Sequence, residues 1–289
     1  MVETSGISKT DCFLGVLRKR TRLGDIALLL SVPLVLVWVF SLPLATRESL
    51  VFAYTDPTLL TAYTSAFVHL DSMHLLVNVG GYLLVAPLAY VLSALGGHRR
   101  RFFVAFAVFL VVFPVALSYL NLAFVRPSVG YGFSGVLLAF VGYLPIALAD
   151  YVEAQFDVDV RANRSLAPAL FFVGLALAAM LSVRSLVTAG LAVAALLSAL
   201  LYALPAFDGR TRLRSNVRAA AGMTGHFELF TVAVVAFVAF PFVAFPADSA
   251  GDGTVVNLYV HLLGYALAFV ATYVTIEVGV RLPGGEAWV

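Results

Sequence analysis

Apolar runs of about 18 to 25 residues recur along this chain between short polar clusters, each long enough to cross a hydrocarbon core about 30 Å thick. With 62% hydrophobic residues, 12% charged residues and a mean hydropathy of +0.98, 289 residues cannot hide their apolar surface in one water-soluble core. In lipid every backbone N–H and C=O must be satisfied within the chain, and runs of this length do that as helices rather than as barrel strands. The expected fold class is an all-α membrane protein, a polytopic helical bundle of about eight transmembrane helices.

The eight expected spans are 26–45, 72–95, 102–122, 134–150, 166–183, 185–205, 227–246 and 255–280. Between 166 and 205 a single helix would be twice too long, so Arg184 is read as the turn of a tight hairpin. Charge tests this count. With a cytoplasmic N-terminus and eight crossings, fifteen of the 18 basic residues face inward, and only Arg47, Arg126 and Arg184 face outward. Dropping one span would put basic clusters on the wrong side. The expectation is a multi-pass protein of the cell membrane with both termini cytoplasmic.

The expected organisation is a cytoplasmic tail over 1–25, one transmembrane domain over 26–281 and a short cytoplasmic tail over 282–289. The first span is too long for the apolar region of a cleaved signal and reads as a retained helix. No repeat of 20 to 50 residues and no inverted halves with matched helix breaks are visible, which speaks mildly against a repeat-built transporter. Aromatic and basic residues are not interleaved, so no nucleic-acid partner is expected. Cys12 is the one cysteine and can form no intramolecular disulfide.

Polar residues inside apolar spans are costly and suggest function. His74 and Asn78, four residues apart in the second span, share one helix face. Ser134 opens the fourth span within Gly132-Phe133-Ser134-Gly135, and His261 lies about six residues into the last. In the expected topology all four sit at similar depth below the outer face. A serine and a histidine are the minimum for acyl transfer: the imidazole can take the hydroxyl proton and later protonate a leaving amine. His74, Asn78 and the Ser134 backbone N–H at a helix N-terminus could stabilise an oxyanion, and Gly132 and Gly135 would permit a close backbone approach.

Three motifs stand in this order: Phe67-Val68-His69-Leu70-Asp71-Ser72-Met73-His74-Leu75-Leu76-Val77-Asn78, then Gly132-Phe133-Ser134-Gly135, then Val260-His261-Leu262-Leu263-Gly264. Together they resemble the second-helix signature, the nucleophile motif and the histidine helix, in that order, of the rhomboid family of intramembrane serine proteases. The resemblance implies a Ser134–His261 dyad without a third acid, an oxyanion hole of His74, Asn78 and the Ser134 backbone, and a structural role for His69. It implies a six-helix core, so one helix pair within 166–246 would be additional, and substrates that are transmembrane segments of other proteins. Leu60-Thr61 stand where many members have Trp-Arg, and Leu138 stands where many have an aromatic residue. Gly264 and Ala268 form a small-residue face suited to close helix packing.

Other readings compete. A lone Gly-x-Ser-Gly is more often a packing surface, and a lone intramembrane histidine serves ion pathways or interhelical hydrogen bonds as readily as catalysis. The alternative function is a non-proteolytic rhomboid-like protein that binds membrane helices in trafficking or quality control. A transporter ranks last, because the inner halves of the second, fourth and last spans are apolar until Asp150 and Glu277. Asp71 and Ser72 read as a helix cap, and His98 and His226 as solvated interfacial residues. No HExxH occurs, and the five-residue spacing of His69 and His74 does not suit one helix face, so neither metal nor cofactor is expected. Oligomeric state is not legible.

Overall fold

The computed structural model describes residues 13–124, 128–156, 160–182, 185–207, 222–246, 250–251, 254–255 and 257–281. Cys12, Lys9, Arg126, Arg184, the basic cluster from Arg210 to Arg218 and the tail 282–289 lie outside the described residues.

Helices occupy every stretch expected to span. They are α2 (Leu23–Phe40), α5 (Ser72–Leu95), the pair α6 (Arg99–Val111) and α7 (Phe113–Leu120), α8 (Ser134–Phe156), α9 (Val160–Leu181), α10 (Leu186–Phe207), α11 (His226–Ala244) and α12 (Leu258–Arg281). Six are long and apolar enough to cross a membrane; α6 and α7 together make a seventh crossing only as a pair bent by 49°, and α9 is shorter over its described apolar length. The protein is an all-α bundle built for lipid. Helix ends differ from expectation by several residues, and two differences bear on the architecture. The 102–122 run bends at Val112, because Pro114 in the first turn of α7 has no N–H to carry the α6 ladder forward. The last helix begins at Leu258, after the hairpin of β3 (Ala250–Gly251) and β4 (Thr254–Val255), so His261 is its fourth residue rather than about its sixth.

α8 is the axle. Nearly every side chain from Gly135 to Val152 is buried, and α5, α6, α9, α11 and α12 all pack on it. Phe140 sits among Tyr82, Phe106 and Phe109, with ring centroids 5.6, 5.8 and 5.3 Å away. The outer helices instead expose rows such as Leu30, Leu34 and Trp38 on α2 and Leu197, Leu200 and Leu201 on α10, as lipid-facing helices do. Paired residues fix the helix directions. Gly81 opposes Leu137 and Ser93 opposes Tyr143, so α5 runs parallel to α8. Gly135 opposes Val260 and Gly142 opposes Tyr265, so α12 does too. The first residues of α5, α8 and α12 therefore meet at one end of the bundle.

That end is tied down by short elements. β1 (Phe52–Ala53) pairs antiparallel with β2 (Val129–Gly130), bringing the loop after α2 against the residues that precede Ser134. α3 (Leu44–Ser49) precedes β1, and α4 (Leu59–Thr64) follows it, with a Thr58 cap that accepts from Thr61 N–H at 3.1 Å. The loop that carries Leu60-Thr61 is held by Arg47 Nη1, which donates to the His69 carbonyl at 2.6 Å, and by Thr64 Oγ1, which donates to the Leu50 carbonyl at 2.9 Å.

The opposite end is held by charge. Asp25 of α2, only 3% exposed, accepts from Tyr90 Oη at 2.5 Å and Arg99 Nε at 2.6 Å and also pairs with Arg99 Nη2. Arg101 pairs with Asp150. The buried Asp25 carboxylate persists because both of its oxygens, removed from water, find donors. His98 is not simply solvated: burial, then the Arg101 guanidinium, pushes its imidazole down to about 4. His226 is also buried, with Nδ1 2.8 Å from Tyr151 Oη and an edge-on contact from Phe13. Phe13 belongs to α1 (Phe13–Arg20), so part of the expected N-terminal tail is a helix docked on the bundle.

Candidate active site

The α8–α12 crossing controls the site. A side chain at Gly264 would run into the carbonyl of Gly135, and one at Gly135 would meet the Val260 side chain. These glycines bring the two backbones together where only hydrogen atoms fit, and Ala268, fully buried, continues the small face one turn on. Ser134 directly precedes one contact residue. His261 precedes the other by three positions, on the same face of α12.

His261 is 7% exposed and its ring is oriented from α11. Nδ1 lies 2.7 Å from the carbonyl oxygen of Ala244, and the Phe245 ring stands edge-on to the imidazole with centroids 6.1 Å apart. Ala244 ends α11, so its carbonyl has no helical N–H partner and is free to accept from an imidazole. That bond fixes the proton on Nδ1 and makes Nε2 the basic nitrogen. Phe245 supplies the aromatic neighbour that Leu138, itself buried in α8, does not.

The loop before α8 wraps around His74. Gly132 has φ of +105°, a conformation that side chains disfavour, and an added Cβ there would lie 2.7 Å from His74 Nε2. Its N–H donates to the Ser65 carbonyl at 2.9 Å. Asp71 caps α5 by accepting from His74 N–H at 2.7 Å, and the His74 ring lies between Tyr131 and His69, with centroids at 5.7 and 4.9 Å. His74 is also close enough to His261 to interact with it electrostatically.

Two buried polar groups line this region. Asn78, 2% exposed, donates from Nδ2 to the His74 carbonyl at 2.8 Å, and its Oδ1 has no hydrogen-bond partner among the described residues. His69 is fully buried behind the loop, and Nε2 accepts from Phe133 N–H at 3.4 Å. Burial, reinforced by the His74 ring, pushes its imidazole down to about 3, so it is neutral and serves as an acceptor. Ser134 is half-buried, and its hydroxyl makes no hydrogen bond to any described residue.

The structure thus gathers Ser134, His74, Asn78, His69, Gly132, Gly135, His261 and Gly264 at one end of three adjacent helices. Two contributors, Ala244 and Phe245, were missed. The carbonyl carries no side-chain signature. Phe245 was reachable: Pro246 disfavours helix at the residue before it, which marks the end of that span.

No protein-family model, curated protein or solved structure matches this chain.

Proposed function

We propose that this chain is a rhomboid-type serine endopeptidase that hydrolyses peptide bonds in or near transmembrane segments of other membrane proteins, acting from the cell membrane with both termini cytoplasmic. One observation carries the reading. The glycine-to-backbone contact of α8 with α12 sets the serine and the histidine of two separate motifs on one crossing, with the basic Nε2 of His261 left for a hydroxyl.

Ser134 Oγ attacks the scissile carbonyl carbon as its proton passes to His261 Nε2. The oxyanion accepts from the Ser134 backbone N–H, from His74 and from the second N–H of Asn78 Nδ2, whose first is held by the His74 carbonyl. The C–N bond then breaks, and the imidazolium returns its proton to the leaving amine. Water, deprotonated by the same imidazole, attacks the acyl-serine ester; the acid leaves and Ser134 regains its hydrogen. The missing Ser134 hydrogen bond is compatible with a dyad that tightens on substrate. α9 and α10 are the additional pair in this reading, because the extensive contacts of α10 are all with α9, while α11 holds His261.

The same missing bond favours a second reading, a non-proteolytic rhomboid-like protein that binds membrane helices. A fluorophosphonate probe separates the two. Wild-type protein in detergent should be labelled on Ser134 and should cleave a model transmembrane substrate, and Ser134→Ala should stay folded while losing both. An unlabelled wild type that still captures membrane helices would establish the second reading.

A further inference from the structure

We propose that the cleft between α2 and α6 is a binding site for one anionic phospholipid, its phosphate on Arg99 and Arg100 and one acyl chain laid along α6. Both helices pack on α5 without extensive contact with each other, and the space between them is about 590 Å³. Its walls are Leu28 of α2 and Phe103, Phe106, Leu110 and Val111 of α6, while Asp25, Arg99 and Arg100 form its mouth.

Walls and mouth differ in chemistry in the way a phospholipid does. The mouth is lined by the guanidiniums of Arg99 and Arg100 and the carboxylate of Asp25, which holds Arg99 Nε and Nη2 in place. Arg99 also lies over the Phe103 ring, 5.2 Å from its centroid. The cation is therefore positioned before a ligand arrives, which reduces the ordering cost of binding. Arg22, three residues before Asp25, and the Arg18-Lys19-Arg20 end of α1 extend the basic surface near the N-terminus of α2. Arg99 and Val111 are twelve residues apart on one helix, about 18 Å, which suits one acyl chain in one leaflet of a core about 30 Å thick. A free phosphate would leave the apolar walls unfilled. A zwitterionic lipid would bring its own cation towards two guanidiniums.

The test is native mass spectrometry of the full chain in neutral detergent, titrated with phosphatidylglycerol, phosphatidylcholine or inorganic phosphate. The expected result is one retained phosphatidylglycerol, displaced by neither of the others. Arg100→Gln should weaken it by about fivefold, the share of one arginine beside an anionic lipid. Ala107→Trp, at an exposed position on the cleft, fills the groove without altering charge and should abolish retention. If Arg100→Gln does not fold, Ala107→Trp decides alone. Equal retention of both lipids, displacement by inorganic phosphate, or undiminished binding to Ala107→Trp would each overturn the proposal.

Discussion

At the scale of single residues, the site depends on polar atoms that stay buried in defined protonation states. Asn78 has one N–H on the His74 carbonyl and an Oδ1 without a partner among the described residues, an arrangement that costs stability unless a ligand uses the amide. If the second N–H binds the oxyanion, Asn78→Ala should lower turnover of a model substrate by about 10²-fold with little change in KM. An unchanged kcat would remove Asn78 from the oxyanion hole. His69 makes a separate prediction. Its folded pKa of about 3 lies below the ordinary 6.5, so between those values the unfolded chain binds a proton that the folded chain does not. Its contribution to stability is complete above pH 6.5 and is lost as pH falls towards 3. His69→Gln keeps an acceptor for Phe133 N–H but does not titrate there, so apparent Tm should fall less steeply across that window. An identical slope would assign the acid loss to other groups.

Among elements, the helices were legible because the solvent writes them: lipid demands about twenty apolar residues per crossing, and each expected run is helical. What lipid does not dictate was harder to read. The bend at Val112 follows from Pro114, which the run's uniform hydropathy masks, and α1 docks by Phe13, an aromatic in a stretch otherwise read as polar tail. Of the candidate site, side chains that bear chemistry were visible as polar exceptions in apolar runs. The Ala244 carbonyl was not, since several carbonyls at any helix end lack helical partners and only the tertiary fold decides which one meets an imidazole. Gly264 tests whether the α8–α12 crossing matters as argued. Gly264→Ala puts a methyl into the Gly135 backbone, so α12 must move away, and probe labelling of Ser134 should be lost while helicity persists. Gly190→Ala on α10, where an added Cβ meets nothing within 4 Å, should label as wild type. Equal labelling of both variants would show that the crossing can spread without harm to the site.

For the whole molecule, direction in the membrane decides which side the site serves. α5, α8 and α12 run parallel, and their first residues carry His74, Ser134 and His261, so all three reach the same face. The other face carries Arg99, Arg100 and Arg101, and fifteen of the 18 basic residues belong to that side if the chain crosses eight times. On the proposed eight-span topology, the positive-inside bias would make the Arg99 end cytoplasmic and the Ser134 end external. Cysteine chemistry can test this, because Cys12 is the sole native thiol and is expected on the cytoplasmic side. A membrane-impermeant maleimide should spare Cys12 in intact cells and label it after permeabilisation. With Cys12→Ser in place, Leu60→Cys offers a thiol at an exposed residue on the α4 loop beside the site, and it should be labelled without permeabilisation. The reverse pattern would put Ser134 on the cytoplasmic side. Labelling of both thiols from outside would mean an odd number of crossings before Leu60 is wrong, and the eight-span count would fall with it.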